Sequence, residues 1–168
     1  MTSSPGARPQ PVHPDTLWRS SEPTALVVFV ALSSISRAMG PTTFLPGTHT
    51  ADAHEVFHRQ GAAAAARLVG RTEAEAPLLE WGDALVMDTR VLHCGGANRS
   101  SSERTLFYFT FRRAGEPEPA LRHSSLREGL RDQFSLEDVV ECVSRAERAA
   151  NPTATDRVRM AATSGRTQ

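Results

Sequence analysis

The sequence predicts a mainly β protein with flanking helices, on three observations. Residues 24–32, "TALVVFVAL", form an unbroken apolar, β-branched run. Residues 84–93, "ALVMDTRVLH", and 104–112, "RTLFYFTFR", are two further runs rich in Val, Thr and aromatic residues, separated by a segment of Gly, Asn and Ser. Runs of this length and composition favour strands over helices. Helical pattern is confined to an alanine-rich stretch before the second run and to the region after Gly115.

Each element follows from local chemistry. Residues 1–11 are rich in Pro, Ser and Gly and are expected to form a flexible arm. The run at 24–32 is expected as a buried strand. "GPTTFLPGTHT", residues 40–50, is punctuated by Gly and Pro and predicts a brief strand at 43–45 followed by a turn. Residues 51–76 contain "GAAAAARLVG", and because alanine favours helix, one or two helical pieces belong there. "WGD" is a turn. Residues 84–93 read as one strand. Residues 94–103 read as a loop, because Gly, Asn and Ser supply positive φ and local side-chain hydrogen bonds. The strand at 104–112 is expected to pair with 84–93 across that loop.

Strand alternation assigns faces. Met87, Thr89, Val91 and His93 share one side of the first strand, and Arg104, Leu106, Tyr108 and Thr110 share one side of the second. Phe107, Phe109 and Phe111 take the opposite side, which calls for cover by a second layer and leaves Arg104 facing a cavity. After Gly115, "SLEDVVECVSRAERAA" is amphipathic: Ser135 is the N-cap with Asp138 three residues on, and Leu136, Val139, Val140 and Val143 form the apolar stripe. Asn151 and Pro152 end that helix. The expected organisation is thus an arm (1–11), a core (12–114), a helical segment (115–151) and a disordered tail (152–168), with no internal repeat.

A length of 168 residues suits one domain with one core. Nineteen acidic and nineteen basic side chains cancel. This neutrality argues against a nucleic-acid or anionic-membrane partner. Every basic residue is arginine and lysine is absent, which excludes Schiff-base chemistry and a Walker-type phosphate loop. Arginine suits bidentate carboxylate binding instead, although a compositional bias toward Arg and Ala is the main cause expected for the pattern. Cys94 and Cys142 form no CxxC motif and are expected as reduced thiols. No apolar run approaches the roughly 18 residues of a membrane helix, and the first residues lack an apolar signal core. A cytoplasmic location is the expectation.

Candidate chemistry begins at "VHPDTLW". His13 and Asp15 stand at i and i+2, so on an extended chain they point the same way, about 6.6 Å apart. Such a pair can converge on one ion, or it can be an ordinary surface pair. A facial triad needs a second histidine from elsewhere. His93, at the end of an apolar run, occupies a position suited to that role or to simple hydrogen bonding. Arg104 follows eleven residues later. An inward-facing arginine needs an anion, because a buried unpaired charge is costly. That anion is either Asp83 or Glu103, or a bound dicarboxylate.

"HEVFH", residues 54–58, matches H-E-x-x-H. As a zinc peptidase site it would use His54 and His58 as ligands, Glu55 as general base, and Glu73, Glu75 or Glu80 as third ligand. As structure alone it is a solvated helical face, flanked by Asp52, Arg59 and Gln60 and interrupted at Gly61.

The ordered set H-P-D, "FVALSSISRAMGPTTFLPGTH" and "GDALVMDTRVLHCGGANRSSSERTLFYF" resembles the phytanoyl-CoA dioxygenase (hydroxylase) family of Fe(II)- and 2-oxoglutarate-dependent oxygenases, over about residues 12–112. The most specific parts are "PGTH", "GD" before the strand, H-x-G-x-x-N, and the arginine eleven residues past the distal histidine. The resemblance implies a double-stranded β-helix (a cupin-like jelly roll) lacking N-terminal elements, with His13, Asp15 and His93 as iron ligands. It implies Arg104 as the grip on the distal carboxylate of 2-oxoglutarate, Phe29 lining the cosubstrate pocket, and Gly95 where some members carry serine. It gives Asn98 and Ser100 a loop-shaping role. The implied cofactors are Fe(II), 2-oxoglutarate and O2, and the implied reaction is hydroxylation of a small or lipid-like molecule. Asp15 favours hydroxylation over halogenation, since related halogenases replace this carboxylate with a small residue. Only twelve residues precede His13, so strand edges are expected to be open, covered by a second copy of the chain or by a missing N-terminal segment. The rival reading is a catalytically degenerate cupin-like module that keeps the ligands without a full pocket.

Overall fold

The structure, a computed structural model, describes residues 1–113 together with Gly115, Ser135, Glu137, Asp138 and Glu141. The chain divides into two compact units, Met1–Ser124 and Ser125–Gln168. In the first unit the strands are β1 (Thr2–Ser3), β2 (Ala25–Ala31), β3 (Thr42–Leu45), β4 (Ala84–Asp88), β5 (Leu92–Gly95) and β6 (Arg104–Arg112). Two helices, α1 (Ala51–Arg59) and α2 (Ala62–Arg71), lie between β3 and β4, and a single 3-10 turn spans Arg37–Met39. No helix among the described residues is long and apolar enough to cross a membrane.

The strands form two antiparallel sheets, one ordered β1-β6-β2-β4 and one made of β3 and β5. Alternation along β2 puts Ala25, Val27, Phe29 and Ala31 on the buried side. Val27, Phe29, Ala31, Ile35, Met87 and Leu106 form the core cluster, with Phe44 of the smaller sheet and Tyr108 packed against it. The helices behave as their sequence suggests. The Thr50 hydroxyl accepts from Ala53 N–H at the start of α1, and Gly61, at φ +84°, makes the break that starts α2.

Four expectations change. Residues 84–93 are two strands, not one. The Asp88 carboxylate accepts from the backbone N–H of Arg90 (2.9 Å), turning the chain at Thr89 and Arg90, so β4 stays in the large sheet and β5 enters the small one. For the same reason β6 does not pair with that stretch. Its partners are β1 and β2, and β2 lies between β6 and β4.

The Phe face is the outer one: Phe107 is 53% exposed, and Arg104 and Leu106 are buried on the inner side. The covering layer expected there is not found among the described residues.

Residues 1–11 are tied down instead of free. Thr2 and Ser3 pair with Thr105 and Arg104, Gly6 N–H donates to Asn98 O (2.8 Å), and Gln10 N–H donates to Gly95 O (2.9 Å). Composition cannot reveal this, because every non-proline residue carries a backbone donor whatever its side chain.

The smaller sheet is also extended at both edges by single bridges, Phe44 to Glu75 and His93 to His13. In the C-terminal unit, Ser135 and Asp138 make the reciprocal bonds of a cap: Ser135 N–H and hydroxyl to the Asp138 carboxylate (2.8 Å each) and Asp138 N–H to Ser135 Oγ (3.1 Å). The rest of the expected helix and the tail lie outside the described residues.

Candidate metal and cosubstrate site

A strap of irregular chain, residues 13–20, lies along the corner between β4 and β5. His13 N–H donates to His93 O and His93 N–H to His13 O, at 2.9 Å each. Asp15 and Thr16 both donate their N–H to Thr89 O (2.9 and 3.0 Å). The Thr16 and Thr89 hydroxyls bond at 2.7 Å. Pro14 falls between the two bonded positions, so its missing N–H costs nothing here.

This lacing brings His13, Asp15 and His93 together. One ligand-type atom from each lies within 4.8 Å of the other two, and among the described residues this is the group of His, Cys, Asp and Glu able to hold a metal ion. Asp15 Oδ1 is 3.9 Å from His13 Nε2 and 3.8 Å from His93 Nε2. Each imidazole donates its Nδ1–H to a backbone carbonyl two residues earlier, His13 to Pro11 (2.8 Å) and His93 to Val91 (2.9 Å). Both Nε2 lone pairs are therefore left facing the carboxylate, in the tautomer a metal requires. His93 is buried and His13 and Asp15 are half-open, so the group is reached from one side. Burial holds His93 below the ordinary histidine value. His13 adds in that direction, while the Val91 carbonyl and Asp15 act against it. A neutral imidazole is the form that ligates. Phe44 stacks on His93 with ring centroids 6.2 Å apart.

Arg104 is 4% exposed, yet its Nε has no hydrogen-bond partner, and Nη1 reaches only Met39 O at 3.4 Å. Burial lowers its pKa, but guanidinium stays charged. Neither acidic candidate pairs with it: Asp83 accepts from Glu80 N–H, and Glu103 from the Ser4 hydroxyl. A buried cation with an orphaned donor fits a missing anion. Gly95, two residues past His93, stands directly before it. A Cβ there would lie 3.3 Å from Arg104 Nη2 and 2.9 Å from Gln10 Oε1. Gln10 Oε1 in turn accepts the Gly95 N–H at 2.9 Å. Phe29 is buried on the same inner side as Arg104, with ring contacts to Phe44 (6.3 Å) and Tyr108 (6.1 Å). Asn98 is 1% exposed and shapes the following loop, donating to Ser3 O and Ser102 O and accepting from the N–H and hydroxyl of Ser100.

The H-E-x-x-H match is not a zinc site. Trp18 N–H donates to His54 Nδ1 (3.0 Å), and His54 Nε2 donates to Arg90 O (2.8 Å), so no lone pair is left for a metal. Glu55 pairs with Arg59 at 3.3 Å on the exposed side of α1. Nor is the stretch simply a solvated face, because His54 is buried.

Sequence reasoning missed Gln10 and Arg90, and it singled out His54 for roles other than the one it has. Each acts through contacts with chain remote in sequence, and no local spacing signals that.

A family model described as Phytanoyl-CoA dioxygenase (PhyH) matches residues 1–106. No curated protein matches the sequence. Among solved structures, AviO1 from Streptomyces viridochromogenes Tue57 aligns with TM-score 0.56 and 20% identity, over 70% of this chain and 50% of that one. SnoK, a non-heme alpha-ketoglutarate-dependent carbocyclase from nogalamycin biosynthesis, aligns with TM-score 0.55 and 24% identity, over 67% and 48%. EctD from S. alaskensis, solved with 2-oxoglutarate and 5-hydroxyectoine, aligns with TM-score 0.53 and 19% identity, over 66% and 41%. These likenesses are of fold, and the chain spans half or less of each of these structures.

Proposed function

Because the chain belongs to the phytanoyl-CoA dioxygenase family, we propose that it is a 2-oxoglutarate-dependent dioxygenase that hydroxylates a small or lipid-like molecule. In this reading the two sheets are a jelly roll. His13, Asp15 and His93 hold Fe(II), Arg104 holds the distal carboxylate of 2-oxoglutarate, and Phe29 and Gly95 border the cosubstrate. One observation carries the reading: two imidazole Nε2 atoms from separate segments face one carboxylate oxygen, 3.9 and 3.8 Å away. The orphaned Nε of buried Arg104 supports it independently.

When bound, iron and 2-oxoglutarate supply the oxidising chemistry, in which 2-oxoglutarate and O2 become succinate and carbon dioxide and one oxygen atom enters a C–H bond. The chain's own residues supply the setting. His13, Asp15 and His93 would hold the ion with three protein ligands, a number that would leave room on it for cosubstrate and oxygen. The Pro11 and Val91 carbonyls orient the rings. Gly95 keeps the space before Arg104 free of a side chain, and Gln10 borders it. Phe29, Phe44 and Leu106 line a small apolar cavity, and Arg104 is buried on the same face of β6 as Leu106, where low polarity strengthens a charge-assisted bond.

The test is succinate release from 2-oxoglutarate by the protein with ferrous iron under oxygen. Release is expected, and is expected to vanish in His93→Ala. Iron binding without any succinate would overturn the dioxygenase reading in favour of a ligand-binding module.

A further inference from the structure

His54, the first residue of the H-E-x-x-H stretch, contacts both segments that carry the candidate ligands. Its Nδ1 accepts the Trp18 N–H, three residues past Asp15, and its Nε2 donates to Arg90 O, three residues before His93. An imidazole bonded this way is held in one neutral tautomer with both nitrogens used. The neighbouring contacts extend the same seam. The Arg90 guanidinium grips the Ser20 carbonyl and the Asp88 carboxylate, and the Thr16 and Thr89 hydroxyls meet between them. His54 is 6% exposed, so water does not readily replace its bonds. Its helix is anchored separately, by the Thr50 cap.

We propose that His54 is a positioning residue for the metal centre: by bridging Trp18 and Arg90 it sets the separation between the strap bearing Asp15 and the strand bearing His93. It touches no ligand atom and acts through the backbone. The inference rests on His13, Asp15 and His93 binding the metal.

The experiment is titration of the full chain with cobalt(II), read by calorimetry and by the visible absorption of the bound ion. His54→Ala removes both bonds. In His54→Asn the side-chain oxygen stands where Nδ1 stood and accepts from Trp18, and in His54→Gln the amide nitrogen stands where Nε2 stood and donates to Arg90. Val27→Ala, a core truncation on β2 that takes part in none of the seam's hydrogen bonds, controls for general loss of stability.

His54→Ala is expected to weaken cobalt binding about tenfold, the lower end of what outer-shell changes do. It should also change the absorption band shape. Asn and Gln should each recover part of both, and Val27→Ala should move neither. Cobalt affinity and spectrum unchanged in His54→Ala would overturn the proposal, as would an equal loss in Val27→Ala. If His54→Ala fails to fold, Asn and Gln carry the comparison, and wild-type binding in both overturns it. His93→Ala separates the two levels: cobalt binding undiminished there defeats the metal-site reading itself, whatever His54 does.

Discussion

His13 and His93 exchange both of their backbone hydrogen bonds, 2.9 Å each, and their rings lie with centroids 4.6 Å apart. A reciprocal pair of this kind is the hydrogen-bonded pair of an antiparallel ladder, which sets the two residues directly opposite each other. The two imidazoles are therefore placed by main chain, before any ion is bound. Removal of a ligand should then abolish binding without unfolding the corner. Asp15→Ala and His93→Ala are each expected to weaken cobalt(II) by more than about 100-fold, beyond the range of outer-shell changes. Calorimetric titration checks this, and wild-type affinity in either variant would remove that residue from the set.

Arg104 gives a prediction with opposite signs in two measurements. Its Nε is buried and unpartnered. Arg104→Met replaces a poorly satisfied cation with an apolar side chain of similar length, so the ligand-free protein should become more stable by about 1 kcal/mol. Affinity for 2-oxoglutarate, measured with manganese(II) present, should fall about 10- to 100-fold, the worth of a charge-assisted bond. A variant that loses stability while keeping cosubstrate affinity would show that the guanidinium serves packing instead.

Gly95 and Gln10 should behave as a coupled pair. A methyl group at 95 meets Gln10 Oε1 at 2.9 Å and Arg104 Nη2 at 3.3 Å. The Gln10 side chain can swing aside, but the buried Arg104 has less room. Gly95→Ala is expected to cost about 1 kcal/mol of stability and Gln10→Ala less, with the double variant losing less than the sum, since contacting residues couple. Urea midpoints of the four proteins test this. Strict additivity would mean that the two side chains do not compete for that space.

The β4–β5 corner predicts a pH dependence. Burial alone would raise the Asp88 carboxyl, but the Arg90 side-chain and backbone hydrogen bonds and its charge outweigh this and bring it below the ordinary value of 3.8. A carboxylate depressed in the folded state contributes stability that is complete above 3.8 and is lost as pH falls through the lower folded value. Asp88→Asn should therefore flatten the acid limb of the stability curve while lowering stability at neutral pH. A variant whose acid limb runs parallel to the wild type would rule Asp88 out as its source.

Much was legible from sequence because the relevant physics is local. The apolar β-branched run became β2, alanine content marked α2, and alternation put Arg104, Leu106 and Tyr108 on one face of β6. The i, i+2 spacing of His13 and Asp15 left an ordinary surface pair open, and it was the resemblance to the family that named His13, Asp15 and His93, which do meet. Asn98 was expected to shape its loop and does so with four hydrogen bonds. The strand, helix and face assignments depend on period and propensity, which are written in neighbouring letters, whereas the ligand set came from the order of motifs along residues 12–112.

Sheet order, the corner at Thr89, and the duty of His54 were decided only by tertiary structure. Strand pairing is made by backbone groups that every residue carries, so the sequence does not say that β2 separates β6 from β4. Residues 1–11 look free by composition and are held by those same groups. An H-E-x-x-H spacing puts two imidazoles on one helical flank. The use of their lone pairs depends on what packs against them, and for His54 that is Trp18 and Arg90, 36 positions away in either direction along the chain.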